Sequence, residues 1–111
     1  MAFISLKNKR DFEAVFKKGK GFREGFLFLK LLPKKNDKFR LGIIVSQKIS
    51  KKATTRNKIR RRIKAMINQK LPEIKNGFDA IISALPGIDE ENFWEIEKAL
   101  DRLLTKTKVK N

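Results

Sequence analysis

The side chains best able to do chemistry lie in a basic run at residues 46–64, SQKISKKATTRNKIRRRIK. This run carries nine lysines or arginines and no acid, and its densest part is residues 56–62. A solvated helix normally mixes both signs, because like charges repel and opposite pairs stabilise it. Guanidinium groups bind phosphate oxygens in pairs and stack on bases. The run therefore predicts a surface for a polyanion, and nucleic acid is the polyanion typical of so basic a chain.

Side chains that commonly perform catalysis are scarce. The chain has no His, no Cys and no Tyr, so the usual general base and thiolate metal sites are absent. A Ser or Thr nucleophile lacks an imidazole partner, although a Ser–Lys arrangement stays open. The acids of residues 90–101 could gather a metal in principle, but their spacing fits a solvated helix face better. Gly19-Lys20-Gly21 is too short for a phosphate-binding loop. We therefore do not expect an active site built from protein side chains. The sequence also does not identify any metal ligands.

Composition places these residues in a compact, basic protein. The 111 residues carry a net charge of +16 and are 41% hydrophobic, which predicts one domain over residues 1–111. Residues 38–70 hold twelve bases and no acid, whereas residues 73–101 hold eight acids and two bases. No apolar run is long enough for a membrane span, and the N-terminus lacks the apolar segment of a signal peptide. We expect a cytoplasmic protein with no membrane contact.

Alternating helix and strand patterns predict how the basic run is positioned. We expect a helix over residues 9–18 capped by Asn8, strands over 25–32 and 39–46 that form a hairpin, and a strand over 78–85. The basic run continues into a helix that Thr54 or Thr55 caps and that ends near residue 70. A last helix, capped by Asp89, runs to about residue 105.

The apolar stripes of the predicted helices indicate what each one buries. On the basic helix the stripe is Ile59, Ile63, Met66 and Ile67, so the cations are left to face solvent. On the last helix the stripe is Phe93, Ile96, Leu100, Leu103 and Leu104. The order α-β-β-α-β-α predicts an α+β fold, a two-layer sandwich of one small sheet with helices packed on it.

Aromatic residues raise a second candidate function. Phe12 and Phe16 share one face of the first helix, and periodicity alone favours a place in the core. Nine Phe are a large supply for a small core, however, so some could be platforms for unpaired bases. Trp94 falls off the apolar stripe of the last helix, and we expect it to cover a neighbouring element.

Four segments, in this order and spacing, resemble a known family. They are Leu6 and Lys7 with DFxxVFxxG from Asp11, RLGIxVSxK from Arg40, RNKIRR from Arg56, and FDxIIxAxP from Phe78. Together they are similar to the protein subunit of bacterial ribonuclease P, the ribonucleoprotein that removes 5′ leaders from precursor tRNAs. Gln47, Ser50 and Lys58 depart from the family's pattern but keep its polarity or charge.

The resemblance implies roles for individual residues. In that family the RNA subunit carries the active site and requires Mg²⁺, and the protein binds this RNA through its basic helix and the preceding loop. The matching positions for contact with the RNA subunit are Lys48, Lys51, Lys52, Arg56, Asn57, Lys58, Arg60, Arg61 and Arg62. Phe12 and Phe16 match aromatic positions of a cleft that holds the single-stranded leader. The family fold also implies a left-handed crossover between parallel strands around the basic helix, opposite to the usual hand.

Two other functions stay open from the sequence. A ribosomal or general RNA-binding protein would share the size, charge and α+β class, but it would show no preference for a tRNA that bears a leader. A protein-only nuclease would cleave without an RNA cofactor, and the distribution of acids argues against it.

Overall fold

A computed structural model describes residues 3–35, 38–107 and 109. Five strands and three helices make up its regular structure within these residues. In chain order they are β1 (Ile4–Ser5), α1 (Lys9–Lys18), β2 (Lys20–Glu24), β3 (Leu27–Pro33), β4 (Phe39–Ile44), α2 (Ala53–Lys70), β5 (Phe78–Ala84) and α3 (Phe93–Lys106). One-turn 3₁₀ helices at Leu71–Glu73 and Ile88–Glu90 precede β5 and α3.

The five strands form one mixed sheet in the order β1-β4-β5-β3-β2. Strand β5 lies at its centre, parallel to β4 and antiparallel to β3. The predicted hairpin of β3 with β4 is therefore wrong, because β5 lies between them. The reason is burial: residues 79–82 of β5 are all buried, and a strand covered on both faces belongs in the middle of a sheet.

Helix α2 connects β4 to β5, which are parallel neighbours. This confirms the crossover that the family resemblance implied, with the basic helix as its connection. The left hand of the crossover stays a prediction. Since α2 must return the chain along the sheet, its apolar stripe packs on the sheet and its cations remain outside.

Two strands were absent from the prediction. Strand β2 reads KGFRE, with little apolar alternation, and it pairs with β3 through a two-residue connection. Gly25 makes this tight turn with a positive φ of 55°, a conformation that glycine adopts without a steric penalty. Strand β1 has only two residues and pairs with β4 at the other edge. Both are short edge strands, for which periodicity gives little signal.

The α+β class with a single sheet is confirmed, and its helices are divided between the two faces, which the two-layer description did not specify. The main core lies between the sheet and helices α2 and α3. Its α2 contribution is the predicted stripe of Ile59, Ile63, Met66 and Ile67. Helix α1 packs on the opposite face, where Val15 contacts Leu6 and Ile81.

Helix starts were predicted less well than helix faces. Asn8 caps α1 as expected, since its side chain accepts a hydrogen bond from the backbone N–H of Arg10. Helix α2 begins at Ala53 without a side-chain cap, so neither Thr54 nor Thr55 caps it. Helix α3 is capped by Asn92, whose side chain accepts from the backbone N–H of Glu95. Asp89 lies in the preceding 3₁₀ helix, so the predicted cap was wrong.

Candidate nucleic-acid interface

The basic surface is formed by the loop before α2 and by the solvent side of α2. It comprises Lys48, Lys51, Lys52, Arg56, Asn57, Lys58, Arg60, Arg61 and Arg62. Buried Ile49 anchors the loop, and buried Ile59 and Ile63 fix the rotation of the helix. The structure thus brings all nine sequence-predicted residues onto one continuous stretch of loop and helix.

The acids that the structure describes do not neutralise the charge of this surface. Among the described residues, the cations of positions 48–62 form no salt bridge with any acid. The ion pair that α2 does make is at its far end, where Lys70 Nζ lies 2.8 Å from Asp101 Oδ1. Lys58 and Arg61 are exposed. Such a surface can neutralise the phosphates of a nucleic acid, which releases the counterions condensed on them.

Three of the arginines have additional contacts that fix their positions. Arg56 Nη1 donates to the carbonyl oxygen of Ser50 at 2.9 Å, which ties the loop to the helix. Arg60 Nη1 donates to Asn57 Oδ1 at 2.8 Å. The guanidinium carbon of Arg62 lies 4.0 Å from the centre of the Phe93 ring, a cation–π contact. These guanidinium groups are therefore held at defined spacing, as recognition of phosphates requires.

The start of α2 adds to the positive potential. No side chain caps it, and its first turn contains no acid. The N-terminal N–H groups of a helix carry partial positive charge, which favours anions. Lys51 and Lys52 are exposed beside this end. The loop and helix start therefore reinforce each other electrostatically.

On the opposite face of the sheet, α1 borders a second candidate surface. Phe12 and Phe16 lie one helical turn apart, with ring centres separated by 6.5 Å. The Phe12 ring covers Gly42 of β4 and is partly buried, whereas the Phe16 side chain is 43% exposed. Phe12 therefore belongs in part to the core, as periodicity favoured, and Phe16 does not.

Strand β3 supplies two residues to this surface that the sequence analysis missed. In the register of the sheet, Phe28 pairs with Ser83 and Lys30 with Ile81, so both point to the face that α1 covers. Lys30 Nζ donates to the carbonyl oxygen of Phe16 at 2.7 Å. Phe28 lies over Gly21 of β2. We refer to Phe12, Phe16, Phe28 and Lys30 as the α1 cleft. The pairing of β3 with β5 would have revealed them.

Behind α1 a partly buried ion network connects the helix to the sheet. Arg40 of β4 binds Asp79 of β5 through two hydrogen bonds, and its Nη1 reaches Asp11 of α1 at 3.1 Å. The hydrogen bond to Asp79 raises the pKa of Arg40 above its ordinary value. Asp11 and Phe12 are adjacent, so this network helps to set the position of the Phe12 ring.

A cavity of about 180 Å³ lies where the two surfaces approach each other. Its lining includes Phe12 of the α1 cleft and Arg60 of the basic surface, together with Phe3, Leu6 and Lys64. Lys64 is a further cation, which the sequence analysis did not include among the candidate residues. No acid lines this cavity among the described residues. The aromatic cleft and the basic helix are therefore adjoining parts of one positively charged region.

Comparison with known proteins agrees with this arrangement. A family model described as Ribonuclease P matches residues 2–108. The chain belongs to the ribonuclease P protein family. The ribonuclease P protein component of Synechocystis is 39% identical over 107 residues, which are 96% of this chain and 86% of that protein. The Clostridioides difficile component is 37% identical over 105 residues, covering 94% and 91%.

Solved structures of ribonuclease P proteins have the same fold. The Staphylococcus aureus protein superposes with a TM-score of 0.88 at 30% identity, over 96% of this chain and 97% of that one. The Thermotoga maritima protein gives a TM-score of 0.83 at 30% identity, over 92% and 96%. As a ribonuclease P protein, the chain is an accessory subunit of an endoribonuclease of tRNA processing, with an RNA as its partner.

Three further observations concern this ribonuclease P protein. We had expected Trp94 to cover a neighbouring element. This expectation was wrong, because Trp94 is 65% exposed. No group of three or more His, Cys, Asp or Glu that could hold a metal occurs in the described part of the chain. None of the helices described is long and apolar enough to cross a membrane.

Proposed function

We propose that the protein binds the catalytic RNA of ribonuclease P through its basic surface and holds the 5′ leader of precursor tRNA in the α1 cleft. The observation that carries this proposal is the adjoining placement of two chemically different surfaces. One presents unneutralised cations on a loop and helix, and the other presents aromatic rings beside α1. Phosphates suit the first surface, and unpaired bases suit the second.

The basic surface contributes affinity without base specificity. Each phosphate that a lysine or arginine neutralises releases counterions, so binding weakens as salt increases. Hydrogen bonds to Ser50 and Asn57 order the side chains of Arg56 and Arg60 before the RNA binds. The ordered guanidinium groups lose less conformational entropy on binding than free ones would.

The α1 cleft contributes a difference between substrate and product. A leader is present in precursor tRNA and absent from mature tRNA, so contacts to it stabilise the substrate complex alone. Stacking of a base on an aromatic side chain is worth about 1–3 kcal/mol. Phe16 is the most open of these rings. Binding of the leader therefore raises the preference for precursor over mature tRNA and favours product release.

Catalysis remains with the RNA subunit and its Mg²⁺ ions. Cations of the protein neutralise RNA phosphates, which lowers the divalent metal concentration that the RNA needs to fold and act. We place this work in the cytoplasm, where precursor tRNAs are processed.

The test is cleavage of a 5′-extended precursor tRNA at low magnesium. Three reactions contain the protein alone, a bacterial ribonuclease P RNA alone, and both together. We expect cleavage at the mature 5′ end only when both are present, because the RNA acts and the protein supports it. A matched reaction at high magnesium shows that the RNA itself is competent.

Each other outcome would overturn a specific part of the proposal. Cleavage by the protein alone would make it a nuclease. No stimulation of a competent RNA would leave a general RNA-binding protein as the better description. If the protein stimulates cleavage equally for leaders of one and of ten nucleotides, the proposal that the α1 cleft binds the leader is wrong.

A further inference from the structure

Helix α3 begins with two aromatic residues, and each has a cation against its ring. The Arg62 guanidinium lies 4.0 Å from the centre of Phe93, and Lys98 Nζ lies 5.2 Å from the centre of Trp94. Trp94 is 65% exposed, so most of its indole is open to solvent. It is the only tryptophan of the chain. Packing of the core therefore does not explain this side chain.

A groove between α2 and α3 runs beside the indole. It has a volume of about 280 Å³ and is lined in part by Arg62, Gln69, Phe93, Trp94 and Glu97. A cavity of about 150 Å³ is enough to hold benzene, so this groove has room for a larger planar ring. Gln69 offers an amide that donates and accepts hydrogen bonds, as the edge of a base requires.

The charges around the groove favour an anion on its α2 side. Arg62 belongs to the basic surface, and Lys58 lies one helical turn before it on the same side of α2. Neither forms a salt bridge among the described residues. On the α3 side, Lys98 lies 3.9 Å from Glu95, and Glu97 lines the groove. Phosphates would therefore lie along Lys58 and Arg62, with a base directed toward α3.

We propose that Trp94 is a stacking platform for one unpaired base of the ribonuclease P RNA subunit. The phosphates beside that base bind Arg62 and Lys58, so the interface of α2 extends across the groove onto α3. This inference rests on the proposed contact between α2 and the RNA subunit. Every base has a π-face, so an indole accepts any base and needs no sequence match.

The single tryptophan makes a direct test possible. Emission from Trp94 is recorded while the full-length protein is titrated with the RNA subunit, and separately with precursor tRNA. A filter-binding assay of the same samples gives the affinity for each RNA. We expect quenching that saturates together with binding of the RNA subunit and little quenching by precursor tRNA, because the excited indole transfers an electron to a base stacked on it and returns to the ground state without emission.

Variants separate stacking from mere proximity. We expect Trp94→Ala to weaken binding of the RNA subunit by about tenfold, and Trp94→Phe to retain most of the affinity. Thr105→Ala is the matched control, since Thr105 is an exposed residue of α3 outside the groove. All three substitutions are at exposed positions, so folding should be unchanged, and circular dichroism checks this.

The outcomes distinguish this inference from the function on which it rests. Tight binding of the RNA subunit without quenching, or with full affinity in Trp94→Ala, would overturn the stacking role and leave the basic surface intact. No binding of the RNA subunit at all would overturn both proposals. Emission that changes with protein concentration in the absence of RNA would instead identify the groove as a contact between two copies of the chain.

Discussion

Arg40 binds Asp79 with two parallel hydrogen bonds, from Nε to Oδ1 at 2.8 Å and from Nη2 to Oδ2 at 2.6 Å. The carboxylate of Asp79 is completely buried, and the guanidinium is partly exposed. The pair joins β4 to β5 at the centre of the sheet, and the contact of Arg40 with Asp11 extends it to α1. One ion network therefore links α1 to the two strands β4 and β5.

Removal of Arg40 should destabilise the fold strongly. Arg40→Ala leaves the buried charge of Asp79 without a partner, which costs about 3–5 kcal/mol of unfolding free energy. Urea denaturation followed by circular dichroism measures the loss. Arg102→Ala is the control, because it breaks the exposed ion pair with Glu24 and should cost much less stability than Arg40→Ala. Similar losses in the two variants would contradict a special role for the buried pair.

Gly42 should tolerate a side chain poorly while Phe12 is present. A Cβ atom at residue 42 would lie 2.6 Å from Cζ and 2.8 Å from Cε1 of Phe12, so the ring would have to move. We expect Gly42→Ala to cost about 1–3 kcal/mol of stability through overpacking. The preference for precursor over mature tRNA should fall as well, because Phe12 is part of the α1 cleft.

A double-mutant cycle tests the cause of this loss. Phe12→Leu removes the ring that a Cβ at residue 42 would meet, so the double variant should be more stable than the sum of the single effects predicts. Additive losses, measured by urea denaturation, would mean that Gly42→Ala acts elsewhere.

The sequence predicted the helix faces well and the sheet order poorly. A helical stripe such as Ile59, Ile63 and Met66 depends on the spacing of nearby residues, which can be read directly from the sequence. The placement of β5 between β3 and β4 depends on contacts between distant residues. A hairpin of neighbouring strands is the usual solution, and only the burial of β5 on both faces argues against it.

The candidate functional residues also fall into two groups: those that local sequence identifies and those that only long-range contacts identify. The cations of α2 were predicted because a run without acids is visible in the sequence. Phe28 and Lys30 were missed because their side of β3 is defined only by pairing with β5. Trp94 was assigned to packing because its position off the apolar stripe shows that it is outside the core but not what it meets. Long-range geometry, which periodicity does not contain, accounts for each of these differences.

Stability should decrease in acid through Glu24. Arg102 Nε lies 3.0 Å and Lys106 Nζ 3.1 Å from its carboxylate oxygens, and the hydrogen bond from Lys106 is the main cause that lowers the pKa of Glu24. A carboxyl with a lowered folded pKa stabilises the protein above its unfolded pKa, about 4.3, and loses that stabilisation as the pH falls through the folded pKa.

The test compares unfolding free energies between neutral pH and pH ~3. Glu24→Gln should be less stable than the parent at neutral pH, and the difference should shrink toward pH ~3 as the parent carboxylate is protonated. Glu73→Gln provides an equal change of charge at an exposed acid with no ion pair in the described structure. A constant difference across this range would show that the ion pairs of Glu24 do not contribute.

Charge reversal on α2 should weaken RNA binding without unfolding the protein. Arg61 is exposed, so Arg61→Glu should keep the parent's unfolding free energy within about 0.5 kcal/mol. Affinity for the ribonuclease P RNA should fall, and the slope of log K against log salt should decrease by about 0.9 for each RNA phosphate that the variant no longer neutralises. Arg60→Glu should act in the same direction and also release Asn57.

The control for this effect is a charge reversal elsewhere. Lys75→Glu changes the net charge equally at an exposed position after the 3₁₀ helix that follows α2. It should lower affinity less than Arg61→Glu in a filter-binding assay. If both variants lose the same affinity, net charge rather than the basic surface governs RNA binding.

Phe16 should discriminate precursor tRNA from mature tRNA. Its ring is 43% exposed, so Phe16→Ala should leave folding nearly intact while removing a surface on which a leader base can stack. We expect the holoenzyme's Kd for precursor tRNA to rise by about tenfold and its Kd for mature tRNA to stay the same. Ile4→Ala is the matched control, because Ile4 is 45% exposed and lies on β1, outside the α1 cleft. Equal losses for precursor and mature tRNA would mean that Phe16 supports the holoenzyme in general and that the leader binds elsewhere.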